Sequence, residues 1–152
     1  MTKPFDLQHS LASHMMCIAG RLEQYGNQLI FEPMGLSFSS ARILLLIHHG
    51  MCTPMRIQEA LRVTKSNVSQ RLTLLEEKGL IERVTEPGGD QRCRRIALTA
   101  LGQEKTDELM HAISFRSLEL ERSLHPDDVA TCERVLSTIH HLLDSSLNEQ
   151  TV

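Results

Sequence analysis

Tryptophan is absent from this sequence, and one Tyr and four Phe hold the aromatic share to 3%. Any core must therefore be filled by aliphatic side chains and Met. No apolar run is long enough for a transmembrane helix, and the first residues carry no signal-peptide pattern, so a cytoplasmic protein is expected. The four cysteines, Cys17, Cys52, Cys93 and Cys132, are widely scattered with no CxxC pair. That argues against a zinc knuckle or a disulfide framework and suits a reducing compartment. Also missing are a P-loop, a glycine-rich dinucleotide loop, and any spacing that groups Ser, His and Asp. No enzyme and no cofactor are expected.

What is present is 152 residues with a hydrophobic share of 41%, enough for one domain or for a small lobe with helical arms. The net charge of −3 hides an asymmetry. Between Pro54 and Leu98 nine basic residues face six acidic ones, a net of +3; the remainder holds seven against thirteen, a net of −6. A basic middle between acidic arms is the distribution of a DNA-binding lobe.

The stretch Thr64–Leu80, TKSNVSQRLTLLEEKGL, organises that middle. Thr64 can cap a helix and Gly79 suits the position just past its end. Val68, Leu72 and Leu75 share one face at about 100° per residue, the face to be buried. The opposite side carries Ser66, Asn67, Gln70 and Thr73, groups that can hydrogen-bond base edges, with Lys65 and Arg71 beside them to meet phosphates. An ordinary solvated helix face would look the same in isolation, so the flanking elements decide. Upstream, Thr53 caps and Pro54 opens a short helix to Leu61, with Ile57 and Leu61 pointing inward. Two short helices joined at Arg62-Val63 make a helix-turn-helix. Downstream, Leu80–Thr85 and Arg94–Leu98 read as strands around a turn at Pro87, Gly88 and Gly89. Asp90, Arg92, Arg94 and Arg95 fall at the tip, which makes the hairpin a basic wing able to reach backbone or minor groove.

On the flanks, Phe5–Phe31 reads as one long helix with Leu7, Leu11, Met15, Ile18, Leu22, Tyr25 and Leu29 along a seam. A short apolar helix follows at Ser39–His49. Thr99 begins another long helix to about Leu124, with Leu109, Ile113, Leu120 and Leu124 on one side. Pro126 opens the last, to about Asn148, with Val129, Cys132, Leu136, Ile139, Leu143 and Leu147 in phase. Such stripes need a partner surface. Boundaries are expected at 1–35 for an N-terminal helix, 36–99 for the winged lobe and 100–152 for C-terminal linker and pairing helices.

The segment Leu75–Arg83 (LEEKGLIER), then Asp90-Gln91-Arg92, then Leu98-Thr99-Ala100-Leu101-Gly102 resembles the winged-helix lobe of the MarR-type bacterial transcription regulators. That family's wing carries Asp-x-Arg followed by Leu-Thr-x-x-Gly, and both parts match in register. The resemblance implies a mainly α fold, a winged helix-turn-helix with a two-stranded β-wing and long N- and C-terminal dimerisation helices. It implies a homodimer, most often a repressor, on the double-stranded DNA of a pseudo-palindromic operator. It also implies that Arg92 reaches the minor groove and that a small aromatic or phenolic effector releases the DNA. Candidate effector contacts are His14, Arg21, Tyr25 and Arg42, each of which could equally be a surface or salt-bridge residue.

Two other readings stay open. A winged-helix interaction module would use the same fold without binding DNA. A zinc- or thiol-based sensor would use Glu108 and His111, or a cysteine. Peroxide-sensing relatives use a first-helix Cys near paired Tyr residues; here Cys17 falls about a turn late and Tyr25 is the only Tyr, so a buried, packing Cys17 is expected. Cys132 is expected to be a core member of its stripe. Cys93 lies between Arg92 and Arg94, cations that favour the thiolate and its oxidation, and is the candidate redox residue. The bland alternative is a thiol that fills space at a strand end. No HxxxH pair supports a metal site, and none is assigned.

Overall fold

The computed structural model describes residues 10–84 and 95–149. The chain divides into two compact units, 1–112 and 113–152. The first contains helices α1 (Leu11–Gly26), α2 (Phe38–His48), α3 (Pro54–Leu61) and α4 (Lys65–Glu77), strands β1 (Ile81–Val84) and β2 (Arg95–Leu98), and the start of α5 (Ala100–Glu121). The second holds the end of α5 and all of α6 (Pro126–Glu149).

The long N-terminal helix differs from the sequence expectation. Ser10 caps it through Ser13 N–H, and residues 5–9 lie outside the described ones. At Asn27 the helix widens into a π-turn, Asn27–Phe31, with Glu32 N–H donating to the Asn27 carbonyl at 2.9 Å. The inserted residue rotates the register. Ile30 and Phe31 turn inward; Leu29 is exposed, as are the seam residues Leu11, Ile18, Leu22 and Tyr25 before the turn. Gly26 makes room for this, because a Cβ there would sit 2.8 Å from Phe31 Cε2. Phe31 in turn packs its ring against Phe38, with centroids 5.5 Å apart.

The core of the first unit follows from the apolar periodicity. α2 contributes Ala41, Ile43, Leu44 and Ile47, α3 Ile57, α4 Val68, Leu72 and Leu75, and the strands Ile81 and Ile96. β1 and β2 pair antiparallel, from Ile81 opposite Leu98 to Val84 opposite Arg95. Ile96 N–H also donates to the Cys52 carbonyl at 2.7 Å, tying the wing's base to the segment ahead of α3.

In the second unit α6 runs as one helix from Pro126, with Asp127 and Asp128 in its first turn, where carboxylates suit the positive end of the helix dipole. Its stripe is largely exposed: Leu136, Leu143 and Leu147 face out, while Val129 and Ile139 are half-buried. Cys132 is exposed with them, not a core residue, because nothing within the unit covers the stripe. Cys17 is also exposed, against expectation. It sits about 240° round α1 from Leu11, off the apolar seam. Among the described residues no helix is long and apolar enough to cross a membrane.

Candidate nucleic-acid interface

The helix-turn-helix is held by local chemistry at each of its ends. Thr53 accepts from Arg56 N–H at 3.4 Å and Pro54 occupies the first turn of α3. Arg62 closes α3 in the left-handed region, φ 52°, reversing the chain within two residues. Thr64 then caps α4 through Asn67 N–H at 3.3 Å. At the far end Leu80 N–H donates to the Leu75 carbonyl and Gly79 N–H to the Glu76 carbonyl. This is a Schellman closure, with Gly79 at φ 67° and the buried pair Leu75 and Leu80 as its hydrophobic contact.

Further contacts fix where the end of α4 sits, and the sequence pattern did not announce their partners. Lys78 Nζ donates to the Gly35 carbonyl at 2.7 Å. Arg83 Nε, on β1, pairs with Glu76 at 3.1 Å. The Thr99 hydroxyl donates to the Gly79 carbonyl at 2.5 Å and accepts from Gly102 N–H at 3.0 Å. Thr99 N–H donates to the Leu80 carbonyl as well. Gly102 faces that same carbonyl so closely that a Cβ would fall 1.8 Å from the oxygen. The Leu-Thr-x-x-Gly motif is therefore a splice. Its Thr caps α5 and grips the end of α4, and its Gly lets the two backbones touch.

The outer side of α4 presents the expected residues. Lys65, Ser66, Gln70 and Thr73 are exposed, while Asn67 and Arg71 are half-buried on one flank. Asn67 Oδ1 accepts from Arg71 Nε at 2.6 Å, one helical turn apart. The Thr73 hydroxyl donates back to the Ser69 carbonyl at 3.1 Å, leaving only its lone pairs for a partner. Asp90, Arg92, Cys93 and Arg94, the expected wing-tip residues, lie outside the described residues.

The other sequence candidates are placed individually. His14, Arg21 and Tyr25 share one side of α1, as their spacing of seven and four requires. The His14 ring nitrogen Nδ1 faces the Ser10 carbonyl at 3.0 Å. Arg42 lies on α2 with its guanidinium 5.6 Å from the Phe38 ring centroid. Glu108 pairs with Lys105 at 3.1 Å. Among the described residues no cluster of three or more His, Cys, Asp or Glu could hold a metal ion.

An α3–α4 helix-turn-helix followed directly by an antiparallel hairpin is the winged helix-turn-helix architecture. Within that architecture residues 34–92 match the model of the MarR family. The chain's fold is that of the MarR-family transcription regulators. A cysteine-to-serine mutant of MarR from E. coli, complexed with operator DNA, is similar over 91% of this chain and 99% of that one, with a TM-score of 0.75 and 23% identity. A MepR–DNA complex from S. aureus is similar over 91% and 99%, with a TM-score of 0.75 and 20% identity. Wild-type apo MarR from E. coli is similar over 86% and 96%, with a TM-score of 0.73 and 23% identity. No curated protein sequence matches the chain.

Proposed function

We propose that this chain is a homodimeric, sequence-specific DNA-binding transcriptional regulator, a cytoplasmic repressor released from a pseudo-palindromic operator by a small aromatic or phenolic compound. The observation that carries the reading is α4. Val68, Leu72 and Leu75 anchor it in the core while Ser66, Gln70 and Thr73 stand on the opposite, exposed ridge. A helix fixed on one side and polar on the other fits the major groove of a duplex, and its basic neighbours Lys65 and Arg71 suit the phosphates at the groove walls. Two of the similar structures hold DNA, which supports the same use here. By resemblance Asp90, Arg92 and Arg94 belong to the wing, Arg92 meeting the minor groove.

The exposed apolar residues support the dimer. Leu11, Ile18 and Leu22 on α1 and Leu136, Leu143 and Leu147 on α6 all lie open to solvent in the single chain, and a second copy would cover them. Two-fold pairing would set the recognition helices about 34 Å apart, one turn of DNA. His14, Arg21, Tyr25 and Arg42 remain the proposed effector contacts.

Binding to a randomised pool of duplex DNA, followed at graded salt, tests the reading. The expected result is a selected palindromic consensus and an affinity that falls steeply with salt as phosphate contacts are lost. Gln70→Ala should change the preferred base pairs, by about 1–3 kcal/mol at the positions affected. Failure of the wild-type protein to bind any duplex at low salt would refute the reading and leave a winged-helix interaction module in its place.

A further inference from the structure

Within this DNA-binding reading, on which the inference rests, the structure assigns Asn67 a positioning role. Its Oδ1 holds the Arg71 guanidinium by Nε and leaves both terminal nitrogens aimed at a backbone phosphate, while the reading of base edges falls to Gln70 and Ser66.

Three observations on α4 lead here. The first is placement around the helix. Gln70 lies about 200° from Val68, opposite the core, whereas Asn67 lies only about 100° away, on the flank. Asn67 and Arg71 are correspondingly half-buried, and Ser66 and Gln70 exposed. A residue on the flank meets the wall of a groove before its floor. The second is the bond itself. At 2.6 Å the Arg71 Nε–Asn67 Oδ1 contact is a short charge-assisted hydrogen bond between residues one turn apart. It occupies Nε alone, so the two Nη groups stay together as a fork matched to two oxygens of one phosphate. The third is the Asn67 backbone. Its N–H is the one that Thr64 caps, so the residue that orients Arg71 is itself fixed by the start of the helix. An arginine ordered before DNA arrives loses less side-chain freedom on binding than a free one. Removing its tether should therefore weaken binding by about three- to tenfold.

The test uses the full-length protein and four variants, Asn67→Ala, Arg71→Ala, the double variant and Gln70→Ala, in binding-site selection and in titrations at graded salt. Arg71→Ala should leave the selected consensus unchanged, weaken binding to every sequence alike and flatten the salt slope by about one unit. Asn67→Ala should show a smaller loss with the consensus equally intact, and the double variant should match Arg71→Ala alone. Gln70→Ala should alter the consensus. In the free protein, slowed hydrogen exchange at Arg71 Nε that vanishes in Asn67→Ala is expected by NMR, a readout independent of DNA. A base preference altered by Asn67→Ala at one position would overturn the assignment and make Asn67 a base reader. Additive losses in the double variant, or unprotected Nε, would overturn it too. Wild-type protein that binds no duplex refutes the DNA reading itself, a result distinct from all of these.

Discussion

The close approach of Gly102 to the Leu80 carbonyl offers a test in which two physical arguments predict opposite signs. Gly102 sits within α5, near its N-terminus. On helix propensity alone, Gly102→Ala should stabilise the protein by about 1 kcal/mol. The structure says otherwise. The new Cβ would lie 1.8 Å from the Leu80 oxygen, 2.8 Å from its carbonyl carbon and 3.3 Å from its Cα. All three are backbone atoms, so no side chain can swing aside. Restoring ordinary contact needs a displacement of roughly 1.5 Å in a close-packed region. Moving α5 by that much would pull Thr99 N–H off the Leu80 carbonyl, now at 3.1 Å, and the Thr99 hydroxyl off the Gly79 carbonyl. Two hydrogen bonds are worth about 1 kcal/mol each. Overpacking adds about 1–3 kcal/mol. Setting the propensity gain against these leaves a net destabilisation of about 2–4 kcal/mol.

For a chain of this size each kcal/mol lowers Tm by about 2–4 °C, so a drop of about 5–15 °C is expected. Thermal melts followed by circular dichroism measure it, at one fixed protein concentration because association would shift Tm. Gly20 is the matched control. It is also inside a helix, nothing lies within 4 Å of where its Cβ would be, and it is on the side of α1 opposite the apolar seam. Gly20→Ala should stabilise by about 0.5–1 kcal/mol. If Gly102→Ala melted at or above wild type, as Gly20→Ala should, the splice between α4 and α5 would not be the constraint described.

Thr64→Ala removes the side-chain cap at Asn67 N–H and should cost about 1 kcal/mol of stability, read as a lower denaturation midpoint with unchanged slope. Leu143→Asp places a charge on the exposed stripe of α6 and should dissociate the proposed dimer; a DNA-binding monomer or an intact dimer by analytical ultracentrifugation contradicts that. Arg92→Ala should cut affinity for all operators and flatten the salt slope by about one unit, and unchanged binding would move the wing contact to Arg94 or Arg95.

The parts of α4 that were legible in the sequence are the parts set by local rules. A threonine cap, a Gly just past the end and a three-residue apolar face at helical spacing each depend on neighbours within a turn or two, and Thr64, Gly79, Val68, Leu72 and Leu75 behave accordingly. The two strands of the hairpin and the Pro54 helix start were legible for the same reason. The π-turn at Asn27–Phe31 was not. One wider turn leaves the composition of a helix unchanged, and the Phe31 ring seated over Gly26 is a contact that hydrophobic periodicity does not encode. The Asn67–Arg71 pair stood at a spacing of four, where side chains do meet, but the same spacing fits two independent DNA contacts, and only the 2.6 Å bond distinguishes them.

The misplaced cysteines show a different limit. An apolar stripe states that a face needs cover; it does not state whether the cover is the chain's own core. Val68, Leu72 and Leu75 find theirs within the first unit. Leu136, Leu143 and Leu147 obey the same period on α6 and find none within the second, and Cys132, in phase with them, is exposed for that reason. Burial of the first kind holds α4 rigid enough to present a ridge. Cover of the second kind would depend on protein concentration and would vanish on dilution. In a regulator of the kind proposed, the two stripes thus have separate work: one fixes the shape of the reading helix, and the other lets two copies meet a palindrome together.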